Sequence, residues 1–466
     1  MLAYFPKYFS NRAIVCYVVT LAFVSAIFMS HALPFQFMLF GLVPVLLFFL
    51  YSNKLTMNWQ QLSTRTFTKK VFFIALVIRL VYVIFIYFYF IAMTGLPHAY
   101  HPGDELLYEY IGTLLRNEGF EEFSKLLVKY RIGFSDSGYC WLLAIENLLF
   151  GTHALPPRLI KCVIDAYSCI LLYKLGKRNF GESVGRITAV LYMLLPNAWY
   201  YCGVTLKETE MVFLTILFVE RADYALHSRS ITFQNILLPG LIILAMFAFR
   251  TALGAVLVAA FVGALILSSG KQLKLWKKIL YSSVFIGWMS MTVGVEIVEE
   301  TQQMWEGRFS NQSEGYAWRA ESGNSFAQYA SATVFAPFIF TIPFSSMVAT
   351  PGQENQMMMN GANFIKNILS GFTIFALLSM LFNGEWRKHV LPIAVMSGYL
   401  LVLVFSNFAH SERFHFPVLP LEIMFIAYGV TLMKNKHKRW FTLWSIGICL
   451  ANVAWSWIKL SGRGLS

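Results

Sequence analysis

Charge is what this chain of 466 residues has least of: Asp, Glu, Lys and Arg make up 13% of it, against about a quarter of an average soluble domain. Hydrophobic residues reach 57%, and the mean hydropathy is +0.58. Together these exclude a water-soluble globule. The short alternating segments of an outer-membrane barrel are also missing, so the apolar runs are expected to be helices that satisfy their own backbone inside a bilayer. No pair of cysteines has metal-ligand spacing; the six, at 16, 140, 162, 169, 202 and 449, lie mostly in apolar runs and read as small hydrophobes. Residues 1–12 are basic and 13–29 apolar, but no convincing small-residue cleavage site follows, and the run reads as a retained span. Nor is there a long polar stretch to make a soluble domain. Acids are scarce as well, 24 against 37 Lys and Arg. The resulting charge of +13 does not indicate a nucleic-acid partner, because the basic residues cluster in short loops as the positive-inside rule requires.

Apolar runs recur at 13–30, 34–51, 71–94, 157–175, 183–202, 209–226, 231–249, 251–269, 278–296, 363–382, 389–408, 415–433 and 440–458. They predict an all-α polytopic membrane protein of about thirteen transmembrane helices. Placing the basic loops inside puts 95–156, 203–208, 297–362 and 409–414 on the opposite, outward face. Two further apolar segments, 138–150 and 334–348, begin and end outside, and are expected to be interfacial or re-entrant helices. The organisation reads as two N-terminal spans with a basic loop (1–70), a transmembrane core (71–296) with its first outward loop (95–156), a second outward loop (297–362) and C-terminal spans (363–466).

The outward segments carry the candidate chemistry. In His101-Pro102-Gly103-Asp104-Glu105 two carboxylates follow the end of a span, which suits a catalytic acid or a metal ligand; the structural alternative is a helix cap. Lys207-Glu208 opens another span, with Glu210 deeper and in need of a partner. Arg250-Thr251 interrupts an apolar stretch, and a charge there marks a tight outward turn that suits either an anion site or a snorkelling side chain. His410-Ser411-Glu412-Arg413 brings a guanidinium able to grip a phosphate to the mouth of a further span. Within the bilayer, Arg79 and Asp165 are candidates to pair.

The order of these motifs resembles the GT-C superfamily of membrane glycosyltransferases, in the branch of the protein O-mannosyltransferases and lipid A aminoarabinose transferases. The matching residues run from Pro102-Gly103-Asp104-Glu105 through Tyr108, Gly119, Gly138-Tyr139, Phe150-Gly151 and Arg158-Leu159 to Gly176-Lys177-Arg178-Asn179-Phe180-Gly181. They continue through Leu195-Pro196, Lys207-Glu208 and Arg250-Thr251 to Glu412-Arg413-Phe414 with Pro417 and Pro420. Members of the branch commonly place the acidic loop after the first span, whereas here two spans precede the helix that leads into it, and 297–362 has no counterpart in the resemblance.

That resemblance implies a GT-C fold and an inverting transfer of a sugar from a polyprenyl-phosphate carrier to a hydroxyl of a glycan, lipid or protein acceptor. It gives Asp104 the role of general base with Glu105 as its partner, and makes Arg413, Arg250 and Lys207 candidates for the donor phosphate. Glu208 is left either to bind a divalent metal, Mg or Mn, or to hold one of those cations. His101, Tyr108, Arg158 and His410 are further groups for acceptor binding. A bacterial inner membrane with the site on its periplasmic side is the expected setting. Two alternatives stand beside this reading: a polysaccharide ligase or polymerase using polyprenyl-diphosphate oligosaccharides, for which Arg308 and Arg319 are candidates, and a transporter of lipid-linked sugars.

Overall fold

Three apolar helices open the chain in the computed structural model, which describes residues 2–119, 123–130, 133–227, 233–267, 279–280, 282–292, 294, 302, 325, 332–406 and 408–465. They are α1 (Lys7–Ile27), α2 (Phe35–Asn58) and α3 (Thr64–Thr94). The Ser63 side chain caps α3 by accepting the Thr66 N–H at 3.2 Å, and Gly95, at φ 77°, ends it. Along α3 the buried residues Phe67, Val71, Ala75, Arg79, Val83, Ile86 and Phe90 fall on one helical stripe. The opposite face leaves Phe73, Val77, Val81 and Phe88 more than half exposed. An apolar face of that extent belongs against lipid, and the protein is an integral membrane protein.

The chain continues through α4 (Gly103–Glu118), α5 (Phe123–Lys129), α6 (Phe134–Phe150), α7 (Leu155–Phe180), α8 (Glu182–Met193), α9 (Pro196–Cys202), α10 (Glu208–His227), α11 (Phe233–Phe249) and α12 (Thr251–Leu267). It ends with α13 (Asn360–Phe382), α14 (Val390–Val404), α15 (Leu419–Leu432) and α16 (Lys438–Ser461). Among the described residues no helix-length run has become a strand. Among the described residues six stretches are long and apolar enough to cross a bilayer: α1, α2, α3, α13, Glu412–Leu432 and Asn435–Ser461. The expected count of about thirteen exceeds that number, because several apolar runs fold into shorter or more polar helices. The run 183–202 in particular is two helices, divided where Pro196 starts α9. The basic loop 271–278, and 303–324 with Arg308 and Arg319, lie outside the described residues.

Small residues and buried polar pairs join these helices. A Cβ on Gly185 would stand 2.7 Å from the Tyr173 carbonyl oxygen, and one on Gly176 3.1 Å from the Gly185 Cα, so α7 and α8 pack backbone to backbone. Arg79 of α3 and Asp165 of α7 do pair. Both are fully buried; Nε donates to Asp165 Oδ2, Tyr192 donates to Oδ1, and Arg79 also reaches the Ala75 and Met193 carbonyls at 3.2 and 3.3 Å.

The segment 334–348 departs from the expected interfacial or re-entrant helix. Only its start is helical, at Ala332–Phe335 and Ala336–Phe338, and the chain then runs irregularly through buried surroundings. Polar side chains on the flanking helices make this tolerable. Asn367 and Asn452 accept the Ser345 N–H at 3.0 and 2.9 Å, Asn367 donates to the Thr341 and Pro343 carbonyls, and Lys366 donates to that of Ile342. Irregular backbone persists at such depth only where protein satisfies it in this way.

Removing one partner of the Arg79–Asp165 pair leaves a buried charge, at a cost of about 3–5 kcal/mol. Asp165→Asn is therefore expected to lower the thermal midpoint of the detergent-purified protein sharply, and Arg79→Met with Asp165→Leu to recover much of the loss.

Candidate functional site

The turn between α9 and α10 is held before any of its acids can act. Arg158 of α7 donates to Thr205 Oγ1 at 3.1 and 3.3 Å, and Lys161, one turn further, donates to the carbonyls of Val204 and Leu206. Glu105 of α4 completes the brace: one oxygen accepts the Thr205 N–H at 2.8 Å and stands 3.5 Å from Arg158, and the other accepts the Ala99 N–H at 3.1 Å. Glu105 is 2% exposed and Arg158 fully buried. The structure thus gives a bracing position both to Glu105, expected as the partner of Asp104, and to Arg158, expected at the acceptor. Glu210, one turn into α10, has the partner it required in Lys161, at 3.7 Å.

This brace delivers Glu208 and Asp104 to one guanidinium. Arg413 Nε donates to Glu208 Oε1 and Arg413 NH1 to Asp104 Oδ2. The two acids differ in access, since the Glu208 side chain is 1% exposed and that of Asp104 55%. Arg250, in the turn between α11 and α12, has neutral partners. It donates to the Tyr399 hydroxyl at 3.1 Å, and its guanidinium lies 4.3 Å from the Phe414 ring centre, while that of Arg413 lies 5.8 Å from the same ring. One aromatic ring therefore assembles both arginines. The Arg413 turn is fixed in its own right: Lys366 meets His415 Nδ1 at 2.9 Å, and His415 Nε2 meets the Ala409 carbonyl at 2.7 Å.

Lys207 is placed differently from the expectation of a phosphate ligand. Its ammonium donates to the Ser135 carbonyl at 2.8 Å, to the Phe249 carbonyl at 2.6 Å and to Asp136 Oδ1. An ammonium has three N–H bonds, and these partners use all of them. Tyr108 donates to the same Asp136 oxygen at 2.7 Å, so it too serves this cluster. Burial raises the Asp136 carboxyl, but Lys207 outweighs it and holds the group below the ordinary carboxylate range; burial lowers Lys207, with Asp136 opposing.

The histidines stand at the margins. His101, in a left-handed conformation at φ 54°, meets Glu354 at 2.9 Å and is 65% exposed. His410 lies against the Phe335 ring. As for a divalent metal, the residues at Glu208 do not fit one: two carboxylates converge, and Arg413 already fills the space between them. No group of three or more metal-ligating side chains occurs among the described residues. Sequence reasoning missed Asp136, Thr205 and Glu354. Asp136 carried one usable signal, an acid at the start of an outward apolar helix.

Comparison with known proteins adds a family context. Residues 138–295 match the dolichyl-phosphate-mannose-protein mannosyltransferase family, and residues 358–460 the Alg9-like mannosyltransferase family. Both are GT-C superfamily mannosyltransferases. The resemblance carried by the motifs and these matches therefore agree, and they support glycosyltransferase activity. Glu208 and Arg250 lie in the first matched segment and Arg413 in the second; Asp104 lies outside both. No curated protein matches the chain.

Bracing and exposed acids are expected to separate in stability measurements. Glu105→Leu should lower the thermal midpoint clearly, whereas Asp104→Asn, at a half-exposed position, should leave it nearly unchanged. The Asp136–Lys207 pair has a pH signature. With the folded pKa of Asp136 depressed, its stabilisation is complete at neutral pH and is lost as pH falls through that lowered value. Lys207→Met should lower the midpoint at pH 7 and flatten its fall below about pH 4.

Proposed function

We propose that the protein is an inverting glycosyltransferase that moves a sugar from a polyprenyl-phosphate carrier to an acceptor hydroxyl, at the periplasmic face of a bacterial inner membrane. The observation that carries this reading is the single guanidinium shared by an exposed carboxylate and a buried one, with a second arginine on the same ring. The matched families support the choice of a lipid-linked donor.

In the reaction, the acceptor oxygen forms a bond to the anomeric carbon while the bond from that carbon to the phosphate oxygen breaks. The acceptor proton passes to Asp104, and the bonding pair leaves with polyprenyl phosphate. Arg413 and Arg250 meet the charge that develops on the phosphate. Glu208 keeps Arg413 in place. Before the donor arrives, one Asp104 oxygen, Oδ2, is bonded to Arg413, and the carboxylate is held on that guanidinium. A donor phosphate competes for that guanidinium, so Asp104 is released to turn toward the acceptor hydroxyl when there is a sugar to transfer.

The test is transfer by purified protein from a polyprenyl-phosphate sugar, the mannosyl donor first, since both matched families are mannosyltransferases. Asp104→Asn is expected to reduce kcat by about 10²–10⁴-fold, the usual contribution of a general base, with KM for the donor changed far less. Unchanged transfer by Asp104→Asn would contradict the mechanism. Transfer from polyprenyl-diphosphate oligosaccharides alone would favour the ligase or polymerase reading.

A further inference from the structure

A groove of about 880 Å³ runs between α2 and α3, with Leu194 and Trp199 as its floor. Helix α9 separates it from the site: Trp199 faces the groove, whereas Tyr201 of the same helix stacks on Phe416, 4.6 Å between ring centres. The walls are carbon, with Leu47, Val77 and Phe85 among them, and the Trp199 N–H is spent on the Met193 carbonyl at 3.1 Å. The groove is also held open. Arg186 of α8 donates to the carbonyls of Trp59, Gln60 and Leu62 at 2.6, 3.0 and 2.6 Å, which fixes the turn that sets α2 against α3.

Its two ends differ in charge. At the outer end the polar side chains are neutral: Gln36, and Tyr89, whose hydroxyl meets that of Tyr100 at 3.2 Å. At the inner end stand two lysines. Lys54 lies one turn beyond Tyr51 of the groove wall, its ammonium 6.0 Å from the centre of that ring, and Lys70 lies one turn before Ile74. Both are exposed, and among the described residues neither is paired with a carboxylate. Basic residues in such a loop mark topology in any case, but that rule is indifferent to helix face. Arg65 and Lys69 fall on the opposite side of α3, whereas Lys54 and Lys70 continue the two lining stripes.

A carbon groove with two cations at one mouth and neutral groups at the other fits an amphiphile with an anionic head, entering from the leaflet on the lysine side. We propose that the α2–α3 groove binds an anionic phospholipid of the inner leaflet, its phosphate at Lys54 and Lys70 and one acyl chain laid along the groove onto Trp199. These lysines lie across the membrane from Arg413, so the head they take is not that of a donor poised for transfer. Through Trp199 the bound chain supports α9, which ends three residues before the Thr205 brace.

Native mass spectrometry of the full-length protein, titrated with phosphatidylglycerol and with phosphatidylethanolamine of the same acyl chains, tests the assignment. One phosphatidylglycerol is expected to bind at least about tenfold more tightly than phosphatidylethanolamine, as two cations near a membrane surface would provide. Lys54→Gln with Lys70→Gln should abolish that preference, and Arg65→Gln with Lys69→Gln, on the other side of α3, should leave it intact. Phosphatidylglycerol with a diazirine in its acyl chain should label 43–55 and 74–82, and Val77→Trp should remove that labelling. If Val77→Trp does not fold, the lysine pair, at exposed positions, still decides. Equal binding of the two lipids, a preference that survives the loss of Lys54 and Lys70, labelling elsewhere, or displacement of the labelled lipid by an equal amount of polyprenyl phosphate would overturn the proposal. Sugar transfer is no part of these readouts, so their outcome is independent of the transferase reading.

Discussion

The site depends on one guanidinium with two carboxylates on it. Arg413 joins Asp104, at the start of α4, to Glu208, at the start of α10, across more than three hundred residues of sequence. In water such pairs are worth little, but here one partner is buried and the arginine is mostly covered, so the geometry is fixed by its surroundings. Nearby features serve to hold that arrangement. Glu105, Arg158 and Lys161 fix the turn that presents Glu208, and Lys366 with His415 fixes the turn that presents Arg413.

The same division of labour explains how a membrane bundle carries so many ionised groups. Arg79 and Asp165 satisfy each other far from the site, and their enclosure by Tyr192 and backbone carbonyls makes them a joint between helices; this gives no support to the transporter alternative. Lys207 is absorbed by two carbonyls and Asp136. At the site itself, Arg250 rests on the neutral Tyr399 and Phe414, and Asp104 is half exposed. A phosphate and a hydroxyl are the natural partners for those two.

The sequence was most legible where one physical rule decides. Apolar length located the helices, and the positive-inside rule placed Asp104, Glu208, Arg250 and Arg413 on one face, where the structure brings them together. The partnership of Arg79 with Asp165, and the need of Glu210 for a cation, followed from the cost of lone charge in lipid. Less was legible where backbone atoms are the partners. Nothing in the residue types around Lys207 announces that the Ser135 and Phe249 carbonyls use two of its donors, and nothing around Glu105, read as the partner of Asp104, announces that the Ala99 and Thr205 amides occupy it. The irregular course of 339–348 was hidden for the same reason, although Pro337 and Pro343 signalled a break. Pro196 gave a signal too, and counting the run 183–202 as a single span overlooked it.

In the proposed mechanism, donor phosphate takes Arg413 from Asp104. A structure of the protein with polyprenyl phosphate bound tests this most directly. The expected result is a phosphate oxygen within hydrogen-bond distance of Arg413, the Arg413–Glu208 contact kept and Asp104 released. A phosphate bound elsewhere, with the Asp104–Arg413 pair intact, would contradict it.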